Sequence, residues 1–96
     1  MTNYQRGYSL ERKLVNSYRE LGFVAFRSAG SHSPFDVVAI GADKIFLIQL
    51  KRMQKGASRS FIKEIAELNS IQTPPSCTKL FKVWQDGSGW ILEIEC

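Results

Sequence analysis

The stretch Phe46-Leu-Ile-Gln-Leu-Lys-Arg52, FLIQLKR, begins as a strand suited to burial on both faces and ends in an amide and two cations. Upstream, Phe35 to Ile40 reads as another strand, and Gly41-Ala-Asp-Lys44 as the hairpin turn that joins it to a strand from Ile45 to Lys51. A turn that closes symmetrically pairs Ile40 with Ile45, Val38 with Leu47 and Asp36 with Gln49, all on one face. Lys51 belongs to that face too, one step diagonally beyond the last pair. An apolar hairpin face therefore finishes in Asp36, Gln49 and Lys51.

The elements around this hairpin follow from periodicity and punctuation. Ser9 is placed to cap a helix in which Leu10, Leu14, Val15, Tyr18 and Leu21 recur at helical spacing until Gly22. Phe23 to Arg27 reads as a short strand, and Ser28 to Pro34 as a loop. Ser58 is the expected cap of a second helix with Phe61, Ile62, Ile65 and Leu68 on one face, stopped by Thr73-Pro74-Pro75. Two final strands, Lys79 to Gln85 and Trp90 to Glu95, flank the turn Asp86-Gly-Ser-Gly89. The order is αβββαββ.

Length and composition narrow the class. With 96 residues, 44% of them hydrophobic, the chain supplies one modest core and is expected to form a single domain across residues 1–96. Its formal charge of +4 favours an anionic partner such as nucleic acid. Cys77 and Cys96 have neither CxxC nor Cys/His ligand spacing, so neither a zinc site nor a disulfide framework is indicated. No signal-peptide pattern opens the chain, and no apolar run approaches the roughly 20 residues that span a bilayer. A cytoplasmic, intracellular setting is expected.

Helix one contributes a further acid. At 100° per residue Glu11 falls between Tyr18 and Val15, inside the apolar stripe, where a carboxylate requires a cation, a metal or several donors. The simpler alternative is a first-turn glutamate at the rim that complements the helix dipole. An Asp carboxylate beside a Gln carbonyl offers two hard oxygen ligands, which suits Mg²⁺ or Mn²⁺ and not zinc. Such an ion binds phosphate oxygens and activates water, while Lys51 orients the nucleophile or offsets developing charge; the chemistry is phosphodiester hydrolysis. The competing structural reading is a cross-strand salt bridge between Asp36 and Lys51, with Gln49 a bystander.

The segment RGYSLERKLVNSYRELGFVAFRSAGSHSPFDVVAI, followed by FLIQLKR, resembles the archaeal-type Holliday junction resolvases (Hjc family) of the PD-(D/E)XK nuclease superfamily. The resemblance implies an α/β, restriction-endonuclease-like core with a mixed central sheet flanked by helices. It also implies a Mg²⁺-dependent endodeoxyribonuclease, with Mn²⁺ as a substitute, that acts as a homodimer making paired nicks in four-way DNA junctions. Matched position by position, the family's helical glutamate falls on Glu11, its loop serine on Ser31, its catalytic aspartate on Asp36, and the E-x-K pair on Gln49 and Lys51. The implied metal ligands are Asp36, Gln49, Glu11 and the backbone carbonyl of Leu50. Two departures stand out: the loop from Ser31 to Asp36 is shorter than usual, and Gln49 replaces the family's usual Glu. Some branches of the superfamily that use Q-x-K are nucleases. A related repair or restriction-type nuclease, and a non-catalytic DNA-binding module of the same fold, are the alternatives.

The basic residues fit a DNA partner. Lys51, Arg52, Lys55, Arg59 and Lys63 make five cations before any acid intervenes, and Arg6, Arg12, Lys13 and Arg19 form a second group. Arg6, Arg27 and Arg52 are the first choices for phosphate contacts, with Lys55 and Arg59 beside them, and nucleoid association follows for such a protein. His32, in GSHSP, is read as a loop residue or DNA contact in preference to a general base. Trp84 and Trp90 flank the last turn and are read as core or dimer interface in preference to base-stacking platforms.

Overall fold

A computed structural model of the chain describes residues 3–28 and 33–96, with side chains from residue 8 onward. Its elements are α1 (Asn3–Glu20), β1 (Val24–Arg27), β2 (Val37–Ile40), β3 (Ile45–Met53), α2 (Ile62–Ser70), β4 (Cys77–Gln85) and β5 (Gly89–Glu95). The αβββαββ order expected from periodicity is the observed one. The strands form one sheet in the order β1-β2-β3-β4-β5. Only β3 and β4 run parallel, joined by the crossover through α2, which makes the sheet mixed.

Helix α1 begins before the expected cap, so Ser9 is an interior residue of it and not its N-cap. Leu10, Leu14 and Val15 are buried, and they pack with Ala25, Val37, Ala39, Ile48, Leu50 and Leu80 on one face of the sheet. The helix ends in a Schellman motif: Phe23 N–H donates to the Tyr18 carbonyl and Gly22 N–H to that of Arg19, with Gly22 at φ +91°. The rings of Tyr18 and Phe23 meet at 5.3 Å, the apolar contact that accompanies this motif. Leu21 lies beyond the helix and is exposed, in contrast to its expected place in the stripe, because the stop comes one residue earlier.

On the opposite face α2 covers a second cluster of Met53, Phe61, Leu68, Phe81 and Val83. This helix starts four residues after Ser58, so Ser58 is not its cap; Phe61 occupies that position without a side-chain cap bond. Ile62, one step of about 100° around from Phe61, lies off the apolar face on which it was expected and is 78% exposed. Lys79 supplies what the helix lacks at its other end, its buried ammonium donating to the carbonyls of Leu68, at 2.6 Å, and Ile71. No helix among the described residues is long and apolar enough to cross a membrane.

The hairpin register is the expected one through its apolar part: Ile40 pairs with Ile45 and Val38 with Leu47. The ladder stops at Val37 opposite Ile48, so the expected third pair, Asp36 with Gln49, does not form as a direct backbone pair. Asp36 N–H donates instead to the Ile48 carbonyl at 2.7 Å, one residue short of the symmetric partner. The slip behaves as a bulge and turns Asp36 out of simple alternation.

Candidate active site

Four charged side chains converge where β2 begins and β3 nears its end. Asp36 is held from two sides. Its carbonyl accepts from Ser28 N–H at 3.0 Å, and its carboxylate Oδ2 accepts from the Leu50 N–H at 2.8 Å, closing the ladder with a side chain where the backbone has slipped. Ser28 reinforces this segment by donating its hydroxyl to the Phe35 carbonyl at 2.6 Å. The aspartate is therefore fixed by main-chain groups of both neighbouring strands, which gives a short side chain a defined direction.

Glu11 reaches the same place from α1. Its Oε2 accepts from Arg27 Nε at 3.0 Å, with both side chains mostly covered, at 20% and 23% exposure. The need for a partner inside the apolar stripe is thus met by a cation, and the rim reading of Glu11 falls. Arg27 sits opposite Val37 in the β1–β2 ladder, on the sheet face that meets α1, and its guanidinium also covers the Tyr8 ring at 4.0 Å. Reading Arg27 only as a phosphate contact missed this. Its alternation with the buried Ala25 was the available signal.

Gln49 and Lys51 lie two residues apart on β3, opposite Phe81 and Val83 of β4, both partly buried and on one face. Leu50 between them turns its side chain into the α1 core. Burial raises the pKa of Asp36 above the ordinary carboxylate value, and the negative charge of Glu11 adds to the rise. The Leu50 N–H bond, Lys51 and Arg27 act the other way. Asp36 thus lies within electrostatic reach of Glu11, Lys51 and Arg27, two acids and two cations in one half-buried cluster.

The oxygen donors brought to this end of the sheet are hard and of the kind that binds hard divalent cations. The mutual repulsion of Glu11 and Asp36 is the kind that a cation relieves. Among the described residues no group of three or more His, Cys, Asp or Glu side chains forms a metal cluster.

The remaining candidates separate. Ser31 and His32 lie outside the described residues, as does the side chain of Arg6 within α1. Arg52 pairs with Asp86 at 2.8 Å, and Arg59 pairs with Glu64 at 2.7 Å while its guanidinium lies over Phe61. Lys55 and Lys63 are exposed. Both tryptophans are partly buried against the α1 core, ring to ring at 5.2 Å in an edge contact.

Residues 2–70 match the family model described as archaeal Holliday junction resolvase (hjc). The chain is 37% identical over 73 residues to the crossover junction endodeoxyribonuclease Hjc of Sulfolobus acidocaldarius, an alignment covering 70% of this chain and 50% of that protein. It thus spans about half the length of the curated relative it matches. Among solved structures, that of Archaeoglobus fulgidus Hjc, a Holliday junction resolvase, matches with a TM-score of 0.67 at 22% identity, covering 88% of this chain and 69% of the other. At that identity the likeness is one of fold.

Proposed function

This chain belongs to the archaeal Holliday junction resolvase family, and on that premise we propose that it is a metal-dependent, structure-selective endodeoxyribonuclease that resolves four-way DNA junctions. The observation that carries the reading is the half-buried cluster of Asp36, Glu11, Lys51 and Arg27, with the Asp36 carboxylate fixed on the Leu50 amide. A cross-strand salt bridge alone needs neither a second acid nor a main-chain clamp on the first.

In this reading Asp36, Gln49, the Leu50 carbonyl and Glu11 would hold Mg²⁺, and the ion would supply activation of a water and charge compensation for phosphate. The protein's own part is to place donors and acceptors. Lys51 directs its ammonium at the water or at a non-bridging phosphate oxygen, in a setting too dry for solvent to screen it fully. Arg27 keeps Glu11 neutralised while the site is empty and is drawn toward phosphate when DNA binds. Arg12, Arg19, Lys55 and Arg59 supply phosphate contacts, which favour DNA shape over base sequence.

A homodimer completes the reading, since two strands must be cut symmetrically. Its best surface is the sheet face opposite α1, where Val24, Phe26 and Ile40 are exposed and apolar. The setting is intracellular, with the DNA.

The test compares a four-way junction with a linear duplex of the same sequence, each with Mg²⁺, Mn²⁺ or chelator. Paired symmetric nicks in the junction, lost on Asp36→Ala and Lys51→Ala, are expected. Equal cutting of the linear duplex would identify a repair or restriction-type nuclease, and tight junction binding without cutting in any metal would leave a binding module.

A further inference from the structure

Helix α1 packs on the sheet with Glu11 bonded to Arg27 of β1, while Ser9 and Lys13, four residues apart, share the flank that meets Arg52 of β3 and Trp84 of β4. There a cavity of about 140 Å³ opens to the surface, lined by Ser9, Leu10, Lys13, Arg52 and Trp84. Two of the five are cations, and no carboxylate is among them. Lys13 holds its ammonium 4.2 Å from the centre of the Trp84 ring. Arg52 is oriented by Asp86, to which it gives its Nε.

We propose that this cavity is a second phosphate site that grips the DNA backbone beside the scissile position. The inference rests on the nuclease reading above. Arg52 directly follows Lys51 on β3, and alternation sends the two side chains to opposite faces. A DNA strand passing the end of β3 therefore meets Lys51 on one side and the Lys13 and Arg52 cavity on the other. The Trp84 wall lowers the local dielectric and strengthens attraction to an anion. Because Lys13 occupies a face of that ring and Trp90 packs edge-on, the arrangement favours phosphate over a stacked base. The guanidinium of Arg52 suits a tetrahedral oxyanion.

The test measures junction affinity across a salt series for the wild-type chain, Lys13→Gln, and a control, Lys44→Gln, on the turn at the opposite end of the hairpin. Loss of one phosphate contact reduces the slope of log affinity against log salt by about 0.9, and Lys13→Gln is expected to do this with a roughly three- to tenfold weaker affinity at moderate salt. Lys44→Gln is expected to leave the slope unchanged. Trp84 supplies an independent readout. DNA draws Lys13 off the ring, so saturation with junction is expected to change tryptophan emission, and Trp84→Phe to remove that change. A slope for Lys13→Gln equal to that of the wild type or of the control, with binding and cutting intact, would overturn the second site and leave the nuclease reading standing. A wild-type chain that binds neither junction nor duplex would overturn both.

Discussion

Two cations turn from the sheet toward covered surroundings, Arg27 on β1 and Lys79 on β4, and they end on different kinds of partner. Lys79 is only 7% exposed and spends its charge on the carbonyls that close α2. Those partners neither titrate nor exchange, so the pair fixes one geometry. Arg27 is less buried and faces a carboxylate, Glu11, which stands within electrostatic reach of a second carboxylate, Asp36. Its partner can be bound by a cation or exchanged for phosphate. Burial of charge therefore does not mark a functional site; what marks it is a covered charge whose partner is itself reactive.

The largest expected effect lies on the reactive side of this contrast. Asp36→Asn should lower junction cutting by about three orders of magnitude, on the order of 4 kcal/mol in the transition state. The same change should raise thermal stability slightly, by roughly 1–4 °C at neutral pH. The sign follows from the raised pKa of Asp36. The folded state binds the proton more tightly than the unfolded state, so the native contribution is full below the unfolded pKa and is lost as pH rises through the raised value. Asparagine does not ionise, and its Oδ1 still accepts the Leu50 N–H. The gain should appear above that window and vanish in acid, as melting curves at several pH values will show. A lower melting temperature at neutral pH would mean that the carboxylate is held for structure.

Lys79→Met should act in the opposite sense. It keeps the apolar stem but leaves the α2 carbonyls short of a donor, costing roughly 2–3 kcal/mol in denaturant unfolding while the turnover of folded protein stays close to normal. Arg27→Gln comes next. A partly exposed ion pair contributes less than about 1 kcal/mol to stability, yet cutting should fall about 10- to 100-fold. Because Arg27 lowers the Asp36 pKa, the acid limb of the pH–rate profile should move upward in this variant. If Arg27→Gln proves as destabilising as Lys79→Met, with an unmoved profile, the contrast between the two cations fails.

The frame on which this contrast sits was legible in the sequence, and the contrast itself was not. The pairs Ile40 with Ile45 and Val38 with Leu47 followed from a symmetric turn and alternation, and the place of Glu11 in the stripe followed from helical phase. What the pattern did not carry is what depends on several elements at once. Asp36 leaves the ladder because Ser28, Ile48 and Leu50 all offer it main-chain bonds, and no local rule contains three strands. The partner of Arg27 depends on how α1 lies across β1. The capping role of Lys79 depends on a parallel crossover that places β4 under the end of α2. The late start of α2 was missed for a smaller reason: Ser58 and Ser60 are equivalent as sequence signals, and only the burial of Phe61 decides where the turn begins.

The smallest predicted effect tests the amide that stands on β3 where the resemblance implies a glutamate. Gln49 lies opposite Phe81, partly buried, two residues before Lys51. Gln49→Glu adds a negative charge beside Asp36, so the Mg²⁺ concentration for half-maximal cutting should fall about three- to tenfold, while stability without metal drops slightly from added repulsion. Glu11 decides how this is read. If Glu11 supplies the charge that Gln49 lacks, Glu11→Gln should raise the metal requirement strongly in the wild-type background and weakly in the Gln49→Glu background, a coupling that a double-mutant cycle measures. Additive effects would mean that Glu11 serves Arg27 alone. An unchanged requirement in Gln49→Glu would remove Gln49 from the ligand set. With coupling, the carboxylate paired to Arg27 and the amide on β3 are two halves of one charge balance, and Arg27 is the cation that holds Glu11 ready until metal and DNA take its place.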